Sequence, residues 1–501
     1  MQVQIEARDF QAAIKAMNLV ADKSSYKPIL ANCHIHANGN REAVFRATDY
    51  ERSAAYTVPA DVAEPGDVVL NPAMIAGSIP KAGPVVIASA QEWAQVGESL
   101  RLPTVEPGLY PCMDVPEPQH AFTVSAETLR RALDFAGAFC GKNETRQNLM
   151  GLQFATAPLG QATLTATDGD VLGQCKLDIV PSLGPCDDMD IIIPRASAVL
   201  LVRLLKGDKS ESVAVGIIPT TGASGSTGQM VVTFGHVQLV TRLIDGKFPN
   251  VDPCIPRDNP LAITVDAATF TAKLKVVAAM SRDKIKPTVL TVWPGDALSF
   301  ESEPAEHGQA VEHMAAMVRG LPRPVVRVGF NAPYLLDALK AFGTERVTLH
   351  LEGSLKPCLV TSDLAPAFLA VVMPLRTEWV PTVSKSPGIA APVIAEASKA
   401  AAPTEPKPAH KRKAKAPVAA VKNPAPTPKP VTTPQGGLSI VRCSERAVIV
   451  KGNREVFGAR IDATVPKYSR RYDARRGGWI FSAKREAVLR KALADLLDSA
   501  A

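Results

Sequence analysis

Apolar and polar residues alternate through most of the first 376 positions, and six stretches of longer period break that alternation. Alternation places side chains on opposite faces of a strand. Apolar residues three and four apart place them on one face of a helix. Each break follows one phrase: a short strand, a small or acidic residue, then an amphipathic helix. Val3-Gln-Ile-Glu-Ala7 runs into a helix over 8–18, Phe122-Thr-Val-Ser-Ala126 into 127–140, and Ile263-Thr-Val-Asp-Ala267 into 268–281. A second set falls between them: Val68-Val-Leu-Asn-Pro72 into 73–79, Ile191-Ile-Ile-Pro-Arg195 into 196–205, and Val328-Gly-Phe-Asn-Ala332 into 333–342.

The phrases are periodic. Ala7, Ala126 and Ala267 lie 119 and 141 residues apart, and Asn71, Arg195 and Asn331 lie 124 and 136 apart. Repetition at fixed spacing signals repeated structural units. The first 376 residues therefore predict three units, 1–119, 120–251 and 252–376, each of two similar halves with one helix and several antiparallel strands. The fold class is α+β. Each helix buries one face on its sheet and leaves the other free. Lys15, Arg130, Arg131, Arg195, Arg203, Lys206, Lys273, Lys275 and Lys340 fall on the free faces. Solvated helix surface and phosphate contact both suit them. Gly222-Ala-Ser-Gly-Ser-Thr-Gly228 reads as a hairpin loop, because it lacks the Lys-Ser/Thr ending and following helix of a phosphate cradle.

Composition changes after Arg376. Residues 377–434 hold twelve Pro and nine Lys/Arg against three Asp/Glu, with Lys411-Arg-Lys-Ala-Lys415 in the middle. Such a segment lacks the apolar residues for a core and predicts an extended tether. Residues 435–501 regain pattern, with strands at 438–441, 447–450 and 479–481 and a helix over 484–497. Their basic and aromatic residues interleave at Arg470, Arg471, Tyr472, Arg475, Arg476 and Trp479, a mixture that grips phosphates and stacks bases. Protein docking is the rival reading of that module. The net charge of +7 is thus uneven: the two C-terminal segments carry +6 and +7, and residues 1–376 carry −6. Any nucleic-acid contact made by the body would come from local patches, not its overall field. No run of 18 apolar residues and no secretory leader is visible. The eight Cys form no CxxC pair, so a reducing cytoplasm is expected.

Seven collinear phrases carry a family resemblance: Lys27-Pro-Ile-Leu30, Thr48-Asp-Tyr-Glu51, Ala166-Thr-Asp-Gly169, Ile193-Pro-Arg195, Leu243-Ile-Asp-Gly-Lys-Phe-Pro249, Gly329-Phe-Asn331 with Tyr334-Leu-Leu-Asp337, and Val371-Val-Met-Pro-Leu-Arg376. Across about three quarters of the chain it resembles the bacterial DNA polymerase III beta subunit, the sliding clamp. The resemblance implies a head-to-tail homodimeric ring, sheets outside and helices lining a hole around duplex DNA. It implies a processivity subunit of a holoenzyme whose polymerase and 3′–5′ exonuclease chemistry lies in other subunits. Polymerase III catalytic subunit, clamp loader and other motif-bearing proteins would insert a Gln- and Leu-rich peptide into a groove between the second and third units.

Carried over, that groove uses Leu149, Thr167, Gly169, Leu172, Pro249, Val371, Met373, Pro374, Leu375 and Arg376. Taken without the resemblance, the same residues read as ordinary core. The DNA-facing set is Lys23, Arg130, Arg131, Asn143, Arg146, Arg195, Arg203 and Lys273, and ring closure sets Leu100 and Leu102 of one copy against Ala279 and Met280 of the other. The chain departs from the family at Ser24 and Ser25, where a basic residue is usual, at Asp170-Val171 in place of a His-Arg pair, at Asp252-Pro253, and in continuing past Arg376.

An enzyme would need a site. Nucleophile elbow, Walker A loop and HExxH helix are missing from the sequence. Asp168 with Asp170 suggests a metal pair only weakly, and His34 and His36 share a strand face with no acidic partner expected near them. No catalytic residue, metal or cofactor is expected. An alternative function is a clamp-like DNA-binding regulator that closes no ring.

Overall fold

The computed structural model describes residues 1–379 apart from short breaks at 24–25, 40, 81, 91, 113–116, 144, 185, 187–188, 219–227, 282–284, 305–307, 321–324 and 378. Beyond them it describes the backbone of Ser439–Ser444, Ala447–Lys451, Arg471–Asp473 and Gly478–Ser482. The glycine-rich loop except Gly228, Ser24 and Ser25, nearly all of the 377–434 tether, the 484–497 helix, and Arg470, Arg475 and Arg476 lie outside the described residues. The chain separates into two compact units, Met1–Ser398 and Lys399–Ala501.

The first unit holds six helices among its described residues: α1 (Ala7–Val20), α2 (Pro72–Ile75), α3 (Ala126–Gly137), α4 (Arg195–Lys206), α5 (Ala267–Ala278) and α6 (Ala332–Phe342). All six expected helices are present, with shifted ends. The largest correction is α2, a single turn where 73–79 was expected. Asn71 Oδ1 accepts from Ala73 N at 3.0 Å and Pro72 starts the turn. Gly77 and Pro80 follow at once, and neither favours helix propagation. The other helices bury the expected stripe. In α1 it is Phe10, Ala13, Ile14, Met17 and Val20; in α5 it is Phe270, Leu274 and Val277. Helices pack pairwise, α1 with α2, α3 with α4 and α5 with α6.

The sheets show the repeat more sharply than the helices. Three five-stranded sets have one order. They are 61–64, 2–6, 84–90, 93–96 and 100–103; then 180–183, 120–125, 212–218, 229–234 and 237–242; then 317–319, 261–266, 346–351, 358–361 and 368–372. Three four-stranded sets share another order: 66–70, 33–38, 42–48 and 52–59; 190–194, 151–157, 161–167 and 171–178; 326–331, 287–293, 297–302 and 311–315. A five-set joins a four-set at two junctions. Val237–Arg242 pairs antiparallel with Arg52–Pro59, Thr241 opposite Arg52. Phe368–Val372 pairs antiparallel with Val171–Asp178, Val372 opposite Val171. Each junction makes a nine-stranded sheet. The remaining pair of sets stays separate, with Leu100–Pro103 ending one sheet and Val311–Ala315 ending the other.

The Phe135 ring at the end of α3 lies 5.1 Å from Phe342 of α6 and 4.9 Å from Phe368 of the crossing strand. Such edge-to-face contacts add to the burial of the rings, and here they pin the second unit to the third.

The C-terminal unit holds an antiparallel sheet in the order 439–444, 447–451, 478–482, 471–473. Strand Arg471–Asp473 falls inside the basic-aromatic stretch, beyond the three strands expected there, so the sheet gains a strand.

One expectation fails in the first unit. His34 Nε2 lies 2.9 Å, and His36 Nδ1 2.8 Å, from the same Asp67 oxygen. Asp67 stands opposite His36 in the sheet, a partner 31 residues along the chain that sequence proximity could not supply. Burial holds the His34 imidazole below its ordinary 6.5, against the opposing pull of Asp67. Arg46 and His36 add to the lowering. A lowered imidazole binds fewer protons folded than unfolded, so its contribution is complete above about pH 6.5 and is lost as pH falls through that value. Thermal midpoints should therefore fall from about pH 7.5 to about pH 5.5, and His34→Gln should flatten the fall; an equal slope in the variant would contradict this assignment.

Candidate partner groove and nucleic-acid interface

The junction of the second and third units is built on a turn. Thr167 Oγ1 donates to Val171 O at 2.7 Å and accepts from Gly169 N at 3.1 Å. Asp168 Oδ1 accepts from Asp170 N at 2.9 Å and Val171 N at 3.0 Å. Gly169 sits at φ +104°, open to glycine and strained for other residues. Arg146 Nη1 would lie 3.3 Å from a Cβ built there, so its guanidinium reaches the turn.

From this turn the chain 373–376 crosses to the third unit. Met373 N donates to Asp170 O at 2.9 Å and Leu375 N to Gly329 O at 2.8 Å. A Cβ on Gly329 would meet Leu375 O at 2.4 Å, so only glycine admits the crossing this closely. The floor is buried: Val371, Leu172, Leu149 and Thr167 are nearly inaccessible, and Leu172 stands opposite Val371 in the ladder. Leu149 packs with Ile192 and Phe248, beside Pro249. Pro374 and Leu375 are half-buried; Met373, Pro249, Gly169 and Arg376 are exposed.

Two chemical groups on this rim are absent from the ten carried-over residues. The Tyr334 phenol donates to Asp170 Oδ2 at 3.4 Å. Burial, then the charges of Asp168 and Asp170, hold that phenol above its ordinary range. The signals were in the sequence, in Tyr334-Leu-Leu-Asp337 and in the Asp170 departure, but their meeting needs the fold.

The basic residues divide. Lys23, Asn143, Arg146 and Arg203 are exposed. Arg195 is exposed too, with its Nε donating to Gly137 O at 3.2 Å. Asn143 Oδ1 is occupied by Thr145 N and Oγ1. Arg130 is paired with Glu127 at 2.6 Å, Arg131 lies over the Phe368 ring at 5.4 Å, and Lys273 is bound to Glu312 at 2.6 Å. Lys273 is therefore tied to the edge strand Val311–Ala315 instead of standing free.

At that edge Met280 Cε would lie 3.7 Å from a Cβ on Gly308, with Ala279 exposed beside it. On the other edge Leu102 is buried and Leu100 half-buried.

Profiles described as the central and C-terminal domains of the DNA polymerase III beta subunit match residues 123–250 and 253–376, together just over half the chain. The chain belongs to the DNA polymerase III beta sliding-clamp family. A Caulobacter vibrioides beta sliding clamp is 28% identical over 390 residues, covering 75% of this chain and 100% of the relative. A Pseudomonas aeruginosa beta sliding clamp is 27% identical over 380 residues, 73% of this chain and 98% of that one. The crystal structure of the Pseudomonas aeruginosa DNA polymerase III subunit beta superposes with a TM-score of 0.67 at 25% identity, over 75% of this chain and 100% of its own. A Caulobacter crescentus sliding clamp gives 0.65 at 26%, over 75% of this chain and 100% of its own. The clamp fold is thus shared over the whole length of these relatives. Among the described residues no helix is long and apolar enough to cross a membrane.

Proposed function

We propose that this clamp-family chain is a DNA polymerase processivity factor: a homodimeric ring that encircles duplex DNA, slides on it and tethers polymerase, clamp loader and other motif-bearing proteins through the II–III groove. The observation that carries the reading is the strand equivalence. At both internal junctions the last strand of a five-set pairs with the last strand of a four-set. Leu100–Pro103 and Val311–Ala315 are those same two strands at the third junction. An edge strand offers a row of unpaired N–H and C=O groups. A second copy supplies the missing partner twice over, and two copies leave no such edge open. Closed symmetry of this kind ends the assembly at two.

Sliding needs phosphate contacts that carry no sequence information. Exposed Arg146, Arg195, Arg203 and Lys23 suit it. The chain itself contributes no chemistry in this reading. Sedimentation of the full protein should give twice 53.2 kDa; a single-copy mass at micromolar concentration would contradict the ring.

The C-terminal sheet adds a nucleic-acid contact. Tyr472 stands opposite Trp479, and Arg471 opposite Ile480, in adjacent strands. Arg470, Arg475 and Arg476 flank them in sequence. Stacking contributes about 1–3 kcal/mol per base. Trp479→Ala in the full chain should therefore weaken single-stranded DNA binding by roughly 5- to 150-fold; unchanged affinity would return the module to protein docking.

A further inference from the structure

Away from the groove and from the exposed helix cations, one cluster joins a thiol to two imidazoles and a carboxylate. His34 and His36 alternate along their strand with Cys33, Ile35 and Ala37, which are buried in the core. Alternation puts the two imidazoles on the opposite face of the sheet, turned away from α1, whose apolar stripe shares that core. The chain leaving the first unit lies against this face. Tyr110 stacks on His34, with 5.7 Å between ring centroids and 16° between planes, and its phenol donates to Asn32 O at 3.1 Å. Cys112 N donates to Tyr110 O at 2.9 Å. Cys112 Sγ lies 3.9 Å from His34 Nδ1.

The other ring nitrogen decides what Nδ1 can do. A carboxylate only accepts hydrogen bonds, so the 2.9 Å contact of Asp67 with His34 Nε2 places the ring proton on Nε2. Nδ1 keeps its lone pair and faces the thiol. Asp67 is thus a positioning residue that sets the tautomer, and Tyr110 and His36, stacked at 5.7 and 6.4 Å, set the ring plane. Burial keeps the imidazole neutral near pH 7 and able to take a proton; Asp67 pulls the other way, and Arg46, opposite His34 in the ladder, acts with burial. Other cysteines have no such setting. Burial pushes the Cys33, Cys140 and Cys175 thiols up to about 12 and raises that of Cys358. Cys186 is buried as well. Among the described residues Cys254 is the other exposed cysteine.

We propose that Cys112 is a modification site: a nucleophilic thiol that exchanges with small disulfides, with His34 as its proton acceptor and Asp67 orienting the ring. A nucleophile, a base and a group that orients the base, each within reach of the next, are what activate a weak nucleophile. The long thiol contact is of the kind that tightens when a reactant arrives. In the exchange the Cys112 S–H proton passes to His34 Nδ1, and the sulfur attacks one sulfur of the disulfide. A bond forms between Cys112 Sγ and that sulfur, and the disulfide's own S–S bond breaks. Cys112 is oxidised. The departing sulfur is reduced, leaves as a thiolate and takes the proton back from His34. An added thiol reverses the step. Neither the 371–376 groove nor the exposed helix cations take part.

The probe is dithiobis-nitrobenzoate, an aromatic disulfide that releases a coloured thiolate, mixed with the full chain without denaturant. Peptide mass mapping of early quenched samples should find the adduct on Cys112 ahead of Cys254, and Cys112→Ser should remove the fast phase. His34→Gln should slow labelling of Cys112 about ten-fold or more near pH 7. Asp67→Asn can offer an N–H to Nε2 and so reverse the tautomer; it should slow labelling likewise. Labelling of Cys254 should be the same in both variants, which separates loss of the base from a general loosening of the fold. From about pH 7.5 to about pH 6.5 the native rate should stay nearly level, whereas an unassisted thiol loses about ten-fold with its thiolate. Equal labelling of Cys112 and Cys254 would overturn the proposal. So would a His34→Gln rate equal to the native one, or a native rate that follows the slope of an unassisted thiol.

Discussion

Leu100→Asp combined with Val311→Asp should convert a two-copy particle into single copies of 53.2 kDa. Each substitution sits on a sheet edge, half-buried at Leu100 and 36% exposed at Val311. Leu100 packs partly against the core, so the thermal midpoint of the variant monomer is measured beside its mass. Ring closure would bury both carboxylates at the same junction. An uncompensated buried charge costs several kcal/mol, so the dimer should weaken by about 10³-fold or more. The mass by sedimentation, read beside a cooperative thermal transition of the monomer, checks this. Persistence of the two-copy mass would mean that these edges do not close the assembly.

Met373→Asp should abolish capture of a Gln- and Leu-rich peptide and leave the two-copy mass intact. The side chain is 37% exposed, while its own N–H is fixed to Asp170 O. The backbone crossing therefore survives the change. The new carboxylate would stand beside Asp170, next to buried Leu172 and Val371. Loss of one central apolar contact with desolvation of a charge removes about 2–4 kcal/mol, roughly 30- to 1000-fold in affinity. Anisotropy with the labelled peptide measures it. Full retention of binding would move the partner site away from residues 371–376.

The three-unit repeat was legible in the sequence because strand and helix periods differ, and because each helix begins after the same kind of short strand. Helix ends were less legible. For α2, the stop depends on Gly77 and Pro80 outweighing an apolar run. Groove residues adjacent along the chain, such as 371–376, could be listed from their phrase, but the crossing that joins Leu375 to Gly329 could not. It depends on a strand and a segment 46 residues further along the chain meeting at a glycine. The same limit explains His34, His36 and Asp67, which a β-ladder brings together. It explains Lys273 as well, read as a free cation and found bound to Glu312, 39 residues away. Charge on a helix face is visible in sequence; whether a neighbouring strand neutralises it is a property of the fold.

The central claim is topological, and one measurement addresses it directly. The protein is loaded by a clamp loader onto nicked circular duplex DNA, washed at high salt, and assayed before and after the circle is cut. Salt displaces counterion-dependent phosphate contacts but does not open a closed ring. The account predicts retention on the circle in high salt and rapid loss once the DNA is linear. Equal loss from circle and linear DNA at high salt would contradict it, and would leave ordinary electrostatic binding as the mode of DNA contact.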